Sequence, residues 1–276
     1  MTQREKAILF RDLHQGPRIL VLPNAWDVAT ARIFEIAGFP AIGTTSAGVA
    51  ASLGYPDGGI ISRDQMLEVV ARVVAAVDVP VTADVEAGYG DPVATAKAVV
   101  ATGAIGMNLE DVLPDNTLAD LDTQTAILRE ITGANLPLVV NARTDVYLAG
   151  VGDSATRFER TVERLNAYRD AGADCLFAPG IRDPETIAAL AREVRGPLNI
   201  LAVAGSPVTG DLERMGVARV SVGSGPSRAA LGLVRRIAME LREHGTYAVM
   251  TGDQVPYDEL NQILRARSRE GGLTIR

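Results

Sequence analysis

The sequence is poor in the side chains that most often carry acid–base, covalent or metal-thiolate chemistry. Its 276 residues include one cysteine, Cys175, and two histidines, His14 and His244. A single thiol excludes internal disulfides and a cysteine zinc cage. Cys175 lies between Asp174 and Leu176 in an expected strand, where a buried and inert thiol is the ordinary outcome. The lysines are Lys6 and Lys97. Lys6 and His14 fall in a polar N-terminal helix, Lys97 in the helix after Pro92, and His244 at the end of a charged helix. None stands at a strand end, where a Schiff-base lysine or a histidine base would be expected. Acid–base work is left mainly to carboxylates, tyrosine or metal-bound water.

Long apolar runs and basic runs are missing as well. No stretch reaches membrane-spanning length, and Met1-Thr2-Gln3-Arg4-Glu5-Lys6 is too polar for a signal peptide. These absences predict a soluble, cytoplasmic protein with no membrane partner. A formal charge of -7 without a basic stripe argues against nucleic acid. A small anion bound through a cation stays open, because the ion reverses the local field.

What is present is an alternation of short apolar strands and helices. A first amphipathic helix covers about Arg4 to His14. Strands are expected at Ile19–Leu22, Ala41–Thr44, Val81 onward, Ile105–Leu109, Leu138–Arg143, Asp174–Phe177, Leu198–Val203 and Arg219–Val222. Helix starts are marked by Asp27, by the Ser62/Gln65 capping box, and by Asp91-Pro92 and Asp183-Pro184. Eight strands alternating with helices predict an α/β fold, a (β/α)8 TIM barrel. A doubly wound sheet would need a glycine fingerprint after the first strand, and Pro23-Asn24-Ala25-Trp26 supplies none. No linker interrupts the pattern, so residues 1–276 read as one domain. A helical extension occupies about 245–276, with a helix from Pro256 to Arg267. Its expected role is oligomer contact or a lid over the barrel bottom.

Barrel chemistry sits where strands end and helices begin. That rule gathers Trp26, Asp27, Thr45, Ser46, Ala47, Gly48, Asp84, Glu86, Glu110, Asn141 and Arg143. Asp84 and Glu86 are two residues apart, so strand alternation would aim them the same way. Neighbouring carboxylates resist joint ionisation unless a cation or a shared proton neutralises them. With Glu110, and Asp57 reaching in from its loop, they form an oxygen-only set. That set suits Mg2+, with Asp84 as direct ligand and the others holding waters. The competing reading makes Glu110 and Arg143 a buried ion pair, and the two can coexist. The turn from Thr44 to Gly48 offers hydroxyls and N–H groups to a carboxylate, or is an ordinary strand-end turn. Arg143 offers a planar fork for a carboxylate or an enolate oxygen. Trp26 either walls the pocket or belongs to the core. The loops Ala204–Pro207 and Gly223–Ser227 raise a rival, a phosphate site of the kind barrels often build there.

Six segments carry a specific likeness: Pro23-Asn24-Ala25-Trp26-Asp27, Thr45-Ser46-Ala47-Gly48, Tyr55-Pro56-Asp57, Ala83-Asp84-Val85-Glu86-Ala87-Gly88-Tyr89-Gly90, Leu109-Glu110-Asp111 and Asn141-Ala142-Arg143-Thr144-Asp145. From about Leu20 to Ala230 the chain resembles the isocitrate lyase/phosphoenolpyruvate mutase superfamily. The resemblance implies a magnesium-dependent barrel, with Mn2+ as a possible substitute, acting on C–C or P–C bonds of 2-oxo acids. It assigns Asp84 to the metal directly and Asp57, Glu86 and Glu110 to it through water. It gives Ser46, Ala47, Gly48 and Arg143 to the substrate, with Trp26 beside them. It also implies a homo-oligomer, dimer or tetramer, that exchanges a C-terminal helix.

One departure narrows the chemistry. Lyases of this superfamily carry a lysine-cysteine-glycine-histidine loop after the strand-four glutamate, and phosphonopyruvate-type members carry a lysine and an asparagine. Here the segment is Glu110-Asp111-Val112-Leu113-Pro114-Asp115-Asn116-Thr117-Leu118, with Asn116 standing for the asparagine. Arg143, Glu110 and Asp57 are then the candidate catalytic groups, and Trp26, Thr45, Ser46, Ala47, Gly48, Asn116, Asn141 and Arg143 the substrate contacts. The expected activity is Mg2+-dependent C–C cleavage of a small 2-oxo or 2-hydroxy di-acid through a stabilised enolate, of the oxaloacetate decarboxylase type. The alternatives are P–C chemistry of the phosphonopyruvate type and a non-catalytic 2-oxo acid binding protein.

Overall fold

The structure, a computed structural model, describes residues 1–252 and 254–265. Nine strand segments form a continuous parallel sheet: β1 (Leu20–Leu22), β2 (Asn24–Ala25), β3 (Ile42–Thr44), β4 (Val81–Asp84), β5 (Gly106–Glu110), β6 (Val139–Arg143), β7 (Cys175–Phe177), β8 (Leu198–Leu201) and β9 (Arg219–Ser221). β1 pairs with β9 and β2 with β3, so these two segments share one barrel position and eight positions result. Pro23 causes the split, since proline has no N–H for the ladder. Asn24 closes the seam with its side chain. Its Nδ2 donates to Thr44 O at 2.8 Å, and its Oδ1 accepts from Val222 N and Gly223 N, both at 2.9 Å.

The helices around the barrel are α2 (Val28–Ile36), α3 (Ser46–Ser52), α4 (Arg63–Ala76), α5 (Pro92–Ala101), α6 (Leu121–Gly133), α7 (Arg157–Asp170), α8 (Pro184–Glu193), α9 (Thr209–Arg214) and α10 (Gly225–His244). Their starts follow local chemistry. Asp27 and Ser62 close capping boxes, and Asp91 and Asp183 cap helices that begin with proline. Apolar helix faces and the outward side chains of the strands form the main core, including Val70, Val99, Leu128, Leu165, Ile187 and Leu212. Helix α1 (Gln3–Leu13) seals the bottom: Ala7 and Phe10 pack with Leu20, Leu22, Ile105 and Val139. His14 ends this helix and is buried, with its Nδ1 2.7 Å from Phe10 O. Burial, with Arg219 nearby, lowers its pKa to about 3, so it is neutral.

After α10 come α11 (Ala248–Gly252) and α12 (Tyr257–Arg265). Ile263 is buried, and its carbonyl accepts from Arg32 Nε at 3.0 Å, which docks α12 on α2. The lid over the barrel bottom is therefore α1 and not the C-terminal helix, because α1 brings Phe10 to the lower strand ends. Ala266 and Arg267, the last residues of the expected helix, lie outside the described residues. Among the described residues, no helix is long and apolar enough to cross a membrane.

Candidate active site

The carboxylates meet at the C-terminal ends of β4, β5 and β6. Asp84 is the last residue of β4, and its Oδ2 accepts from Ser46 N at 2.9 Å and Ser46 Oγ at 2.8 Å. Its Oδ1 accepts a longer contact, 3.4 Å, from Asn108 Nδ2. Strand alternation does not place Glu86 as the spacing suggests. The strand stops at Asp84, and Glu86 takes a left-handed conformation, φ 51°, in a tight turn where Tyr89 does the same at φ 52°. Such conformations are costly for residues with a Cβ, and they cluster at functional sites. The turn still brings Glu86 to Asp84. Burial, then Asp84 and Asp57, raise its pKa to about 7, although Tyr89 Oη donates to its Oε1 at 3.3 Å. Asp57 arrives on an exposed loop, yet its carboxyl reaches the cluster's rim. Partial burial and Asp84 push it above the ordinary carboxylate range.

Glu110 ends β5 and Arg143 ends β6, in register opposite each other. Glu110 Oε2 lies 2.7 Å from Arg143 Nη1. Asp145 grips the same guanidinium bidentately, at 2.5 Å to Nε and 2.7 Å to Nη2, and the Phe177 ring lies 5.7 Å away. Burial is the largest influence on Glu110 and raises its pKa, with Asp145, Asp84 and Glu86 adding to it against the pull of Arg143. For Arg143, burial acts downward, but Glu110 and Asp145 outweigh it and hold the group charged. The buried ion pair and the carboxylate cluster thus coexist. Asp145 is not among the site residues expected from the sequence; its place two residues after Arg143, inside the Asn141–Asp145 segment, is the signal the sequence carries.

The other expected residues divide. Trp26, Thr45, Ser46, Ala47 and Gly48 lie together where β2 and β3 end. Thr45 caps α3, and a Cβ on Gly48 would come within 2.7 Å of Thr45 Cγ2 and 3.0 Å of Trp26 Cβ, so only glycine fits there. Ser46 is engaged with Asp84, which makes it a holder of that carboxylate in this arrangement. Asn141 lies one layer lower, 1% exposed, and donates to Asn108 Oδ1 at 2.8 Å. Asn116 is exposed at a loop tip with φ 64°, and its N–H donates to Leu113 O. That loop is tied at its base: Ala119 N donates to Asp111 O, and Arg164 Nη2 to Ala119 O, at 2.8 and 2.7 Å.

Among the described residues, no three carboxylate, histidine or cysteine side chains converge closely enough to enclose a metal by themselves. A site with one direct carboxylate and water-mediated neighbours needs no such convergence. The donors fit a hard cation: they are all oxygen, and burial first, then mutual repulsion, raises Glu86 and Asp57; a bound cation would relieve the repulsion.

The chain is similar to known proteins along most of its length. The family model for phosphoenolpyruvate phosphomutase matches residues 10–242. An uncharacterized protein of Mycobacterium tuberculosis (strain H37Rv) is 39% identical over 260 residues, 92% of this chain and 95% of the relative. A solved structure from Burkholderia cenocepacia J2315 superposes with a TM-score of 0.89 at 39% identity, covering 96% of this chain and 97% of that one. Oxaloacetate decarboxylase of Rhodopseudomonas palustris (strain HaA2) is 28% identical, covering 96% of this chain and 94% of the relative. The structure of phosphonopyruvate hydrolase in complex with oxalate and Mg2+ matches with a TM-score of 0.82 at 25% identity, over 95% of each chain. The chain thus belongs to the phosphoenolpyruvate phosphomutase family, an enzyme family of carbon–carbon lyases and mutases within the isocitrate lyase/phosphoenolpyruvate mutase superfamily.

Proposed function

We propose that this chain is a Mg2+-dependent lyase that cleaves a C–C bond in a small 2-oxo or 2-hydroxy di-acid, in the manner of an oxaloacetate decarboxylase. The observation that carries this reading is the pairing of an Asp84-centred oxygen cluster with a charged, rigidly held Arg143 on the adjacent strand ends. Asp84 would hold the cation directly, and Asp57, Glu86 and Glu110 through water. When bound, the cation supplies Lewis-acid stabilisation of negative charge developing on the substrate.

The protein's own contribution is orientation. Asp145 and Glu110 hold the Arg143 guanidinium in one plane, so its positive charge needs no reorganisation as an oxo oxygen gains charge. Ala47 and Gly48 border the space beside Trp26 where a substrate carboxylate would lie. The loop from Asp111 to Leu118 offers no thiol and no amine. Decarboxylation suits that composition, because losing CO2 needs no base and water can return the proton. Retro-aldol cleavage would need Tyr89 or a carboxylate as base. Chemistry that depends on a loop cysteine, as in cleavage of isocitrate or methylisocitrate, is disfavoured.

The second reading, P–C chemistry of the phosphonopyruvate type, is favoured by the matching family model and by the phosphonopyruvate hydrolase structure. Turnover of a panel of 2-oxo acids and phosphonopyruvate separates the two. Oxalate binding with and without Mg2+ tests the site itself. Metal-independent oxalate binding would sink the cation assignment, and tight oxalate binding with no product from any substrate would point to a binding protein. The exposed Leu231, Val234 and Leu241 on α10 and Tyr247 beyond it suit a homo-oligomer. Light scattering that finds a monomer would reject that part.

A further inference from the structure

One charge in the barrel has no part in the chemistry above. Arg219, the first residue of β9, is 0% exposed and lies in the barrel interior. Its Nη2 donates to Asn108 Oδ1 at 3.3 Å, while its Nε and Nη1 have no partner. Its guanidinium carbon lies 5.9 Å from the Phe10 ring centroid. Among the described residues, no carboxylate is within ion-pair distance of it. Burying a charge without a counter-ion is costly, and an apolar side chain would fill the same space without that cost. Burial lowers the Arg219 pKa to about 10, which leaves it charged at neutral pH. Besides the thiol of Cys175, itself pushed up to about 12 and so neutral, the group whose charge Arg219 feels is Asp84.

A single amide connects the two. Asn108 Oδ1 accepts from Arg219 and from Asn141 Nδ2, and Asn108 Nδ2 faces Asp84 Oδ1. Two donors fix the orientation of that amide, so its dipole lies between the positive and the negative group. Above it, Asp57, Asp84, Glu86, Glu110 and Asp145 crowd the rim around Arg143. A dianionic substrate approaching that rim meets an excess of negative charge, even with one divalent cation in place.

We propose that Arg219 is a positioning residue, a buried counter-charge linked through Asn108 to Asp84, which strengthens binding of a dianionic substrate at the rim and weakens binding of the cation. The proposal rests on the reading that a divalent cation is held at Asp84. Its sign follows from Coulomb's law in a weakly screened interior: the same fixed positive charge attracts the anion and repels the metal.

The test compares the full-length protein with Arg219→Met and Arg219→Lys. Mn2+ binding is followed by electron paramagnetic resonance, and oxalate binding to the Mn2+-loaded protein by fluorescence of Trp26, the single tryptophan. In Arg219→Met, Mn2+ should bind several-fold more tightly and oxalate roughly tenfold more weakly. Arg219→Lys should keep both near the unsubstituted values, since it retains the charge. Turnover should show KM rising more than kcat falls. Arg219→Gln carries the same two expectations should the methionine variant not fold. Unchanged affinities, or losses in both, would overturn the proposal and leave Arg219 a barrel filler. So would two neutral variants that fail to fold beside a lysine variant that folds. Absence of Mn2+ binding by the unsubstituted protein would overturn the cation reading and this one with it.

Discussion

Asp111, just after Glu110 at the end of β5, and Glu86, just after β4, are both buried carboxylates, and their surroundings treat them in opposite ways. After β5, Asp111 is buried and satisfied by four donors: Thr144 Oγ1 at 2.6 Å, Asp145 N at 2.9 Å, Arg164 Nε at 2.7 Å and Tyr168 Oη at 2.6 Å. It ties the strand ends to α7, and it is scaffold. After β4, Glu86 is also buried but lies beside Asp84 and Asp57; burial first, then their negative charge, raises its pKa to about 7. Burial alone therefore does not mark a functional carboxylate. What distinguishes the two is whether the surroundings already neutralise the charge.

Removing a carboxylate from each side should separate chemistry from scaffold. Asp84→Ala takes away the proposed direct ligand, and Mg2+-dependent turnover should fall by roughly 10³-fold or more. Relief of the carboxylate crowding offsets part of the loss of the Ser46 and Asn108 bonds, so its urea midpoint should fall less than that of Asp111→Ala; full activity in this variant would refute the metal assignment. Asp111→Ala should do the reverse at the level of the fold. It leaves Arg164 buried without its partner and should cost about 3–5 kcal/mol in equilibrium denaturation. A stability near the unsubstituted value would erase the contrast drawn above.

Asp145 lies between the two regions, because its N–H donates to Asp111 while its carboxylate grips Arg143. Asp145→Asn should keep the backbone contact and loosen the guanidinium. Oxalate affinity in the presence of Mg2+ should drop by about 10- to 100-fold, with a melting temperature close to the original. An equal loss of both would move Asp145 to the scaffold side.

The smallest effect expected is a pH dependence. Glu86 has its folded pKa raised from 4.5 to about 7, so the folded chain holds that proton more tightly than the unfolded chain. Its contribution to metal-free stability is complete below about 4.5 and is lost as pH rises through 7. A divalent cation favours the ionised form. Metal affinity should therefore rise with pH through about 7, the range in which Glu86 gives up its proton, with proton release on binding at lower pH. Calorimetry in buffers of different ionisation enthalpy would show it. An affinity flat across that range would mean that Glu86 does not sense the metal.

Much of the architecture is readable locally. Pro23 announced the break in the first strand, Asp27, Asp91 and Asp183 announced helix starts, and the apolar runs announced the barrel positions. These signals depend on residues a few positions apart. The placement of Asp84, Glu110 and Arg143 at neighbouring strand ends follows from the same pattern, because parallel strands in a barrel bring their C-terminal ends to one face. Glu86 reaches the cluster by a left-handed turn after β4 and not by the strand alternation that its spacing from Asp84 suggests.

Which carboxylate is scaffold and which is crowded could not be read that way. The Asp111 network reaches Arg164 and Tyr168, more than fifty residues along the chain. The link from Arg219 to Asp84 runs through Asn108, from three different strands. Asn141 shows the same limit, since a residue named for the mouth proved to lie beneath it. A carboxylate's proton affinity is set by the donors and charges within a few ångströms, and the closing of the barrel chooses them. The residue types and their strand ends were determined by sequence alone; their hydrogen-bond partners, and so their charge states, were decided by tertiary structure.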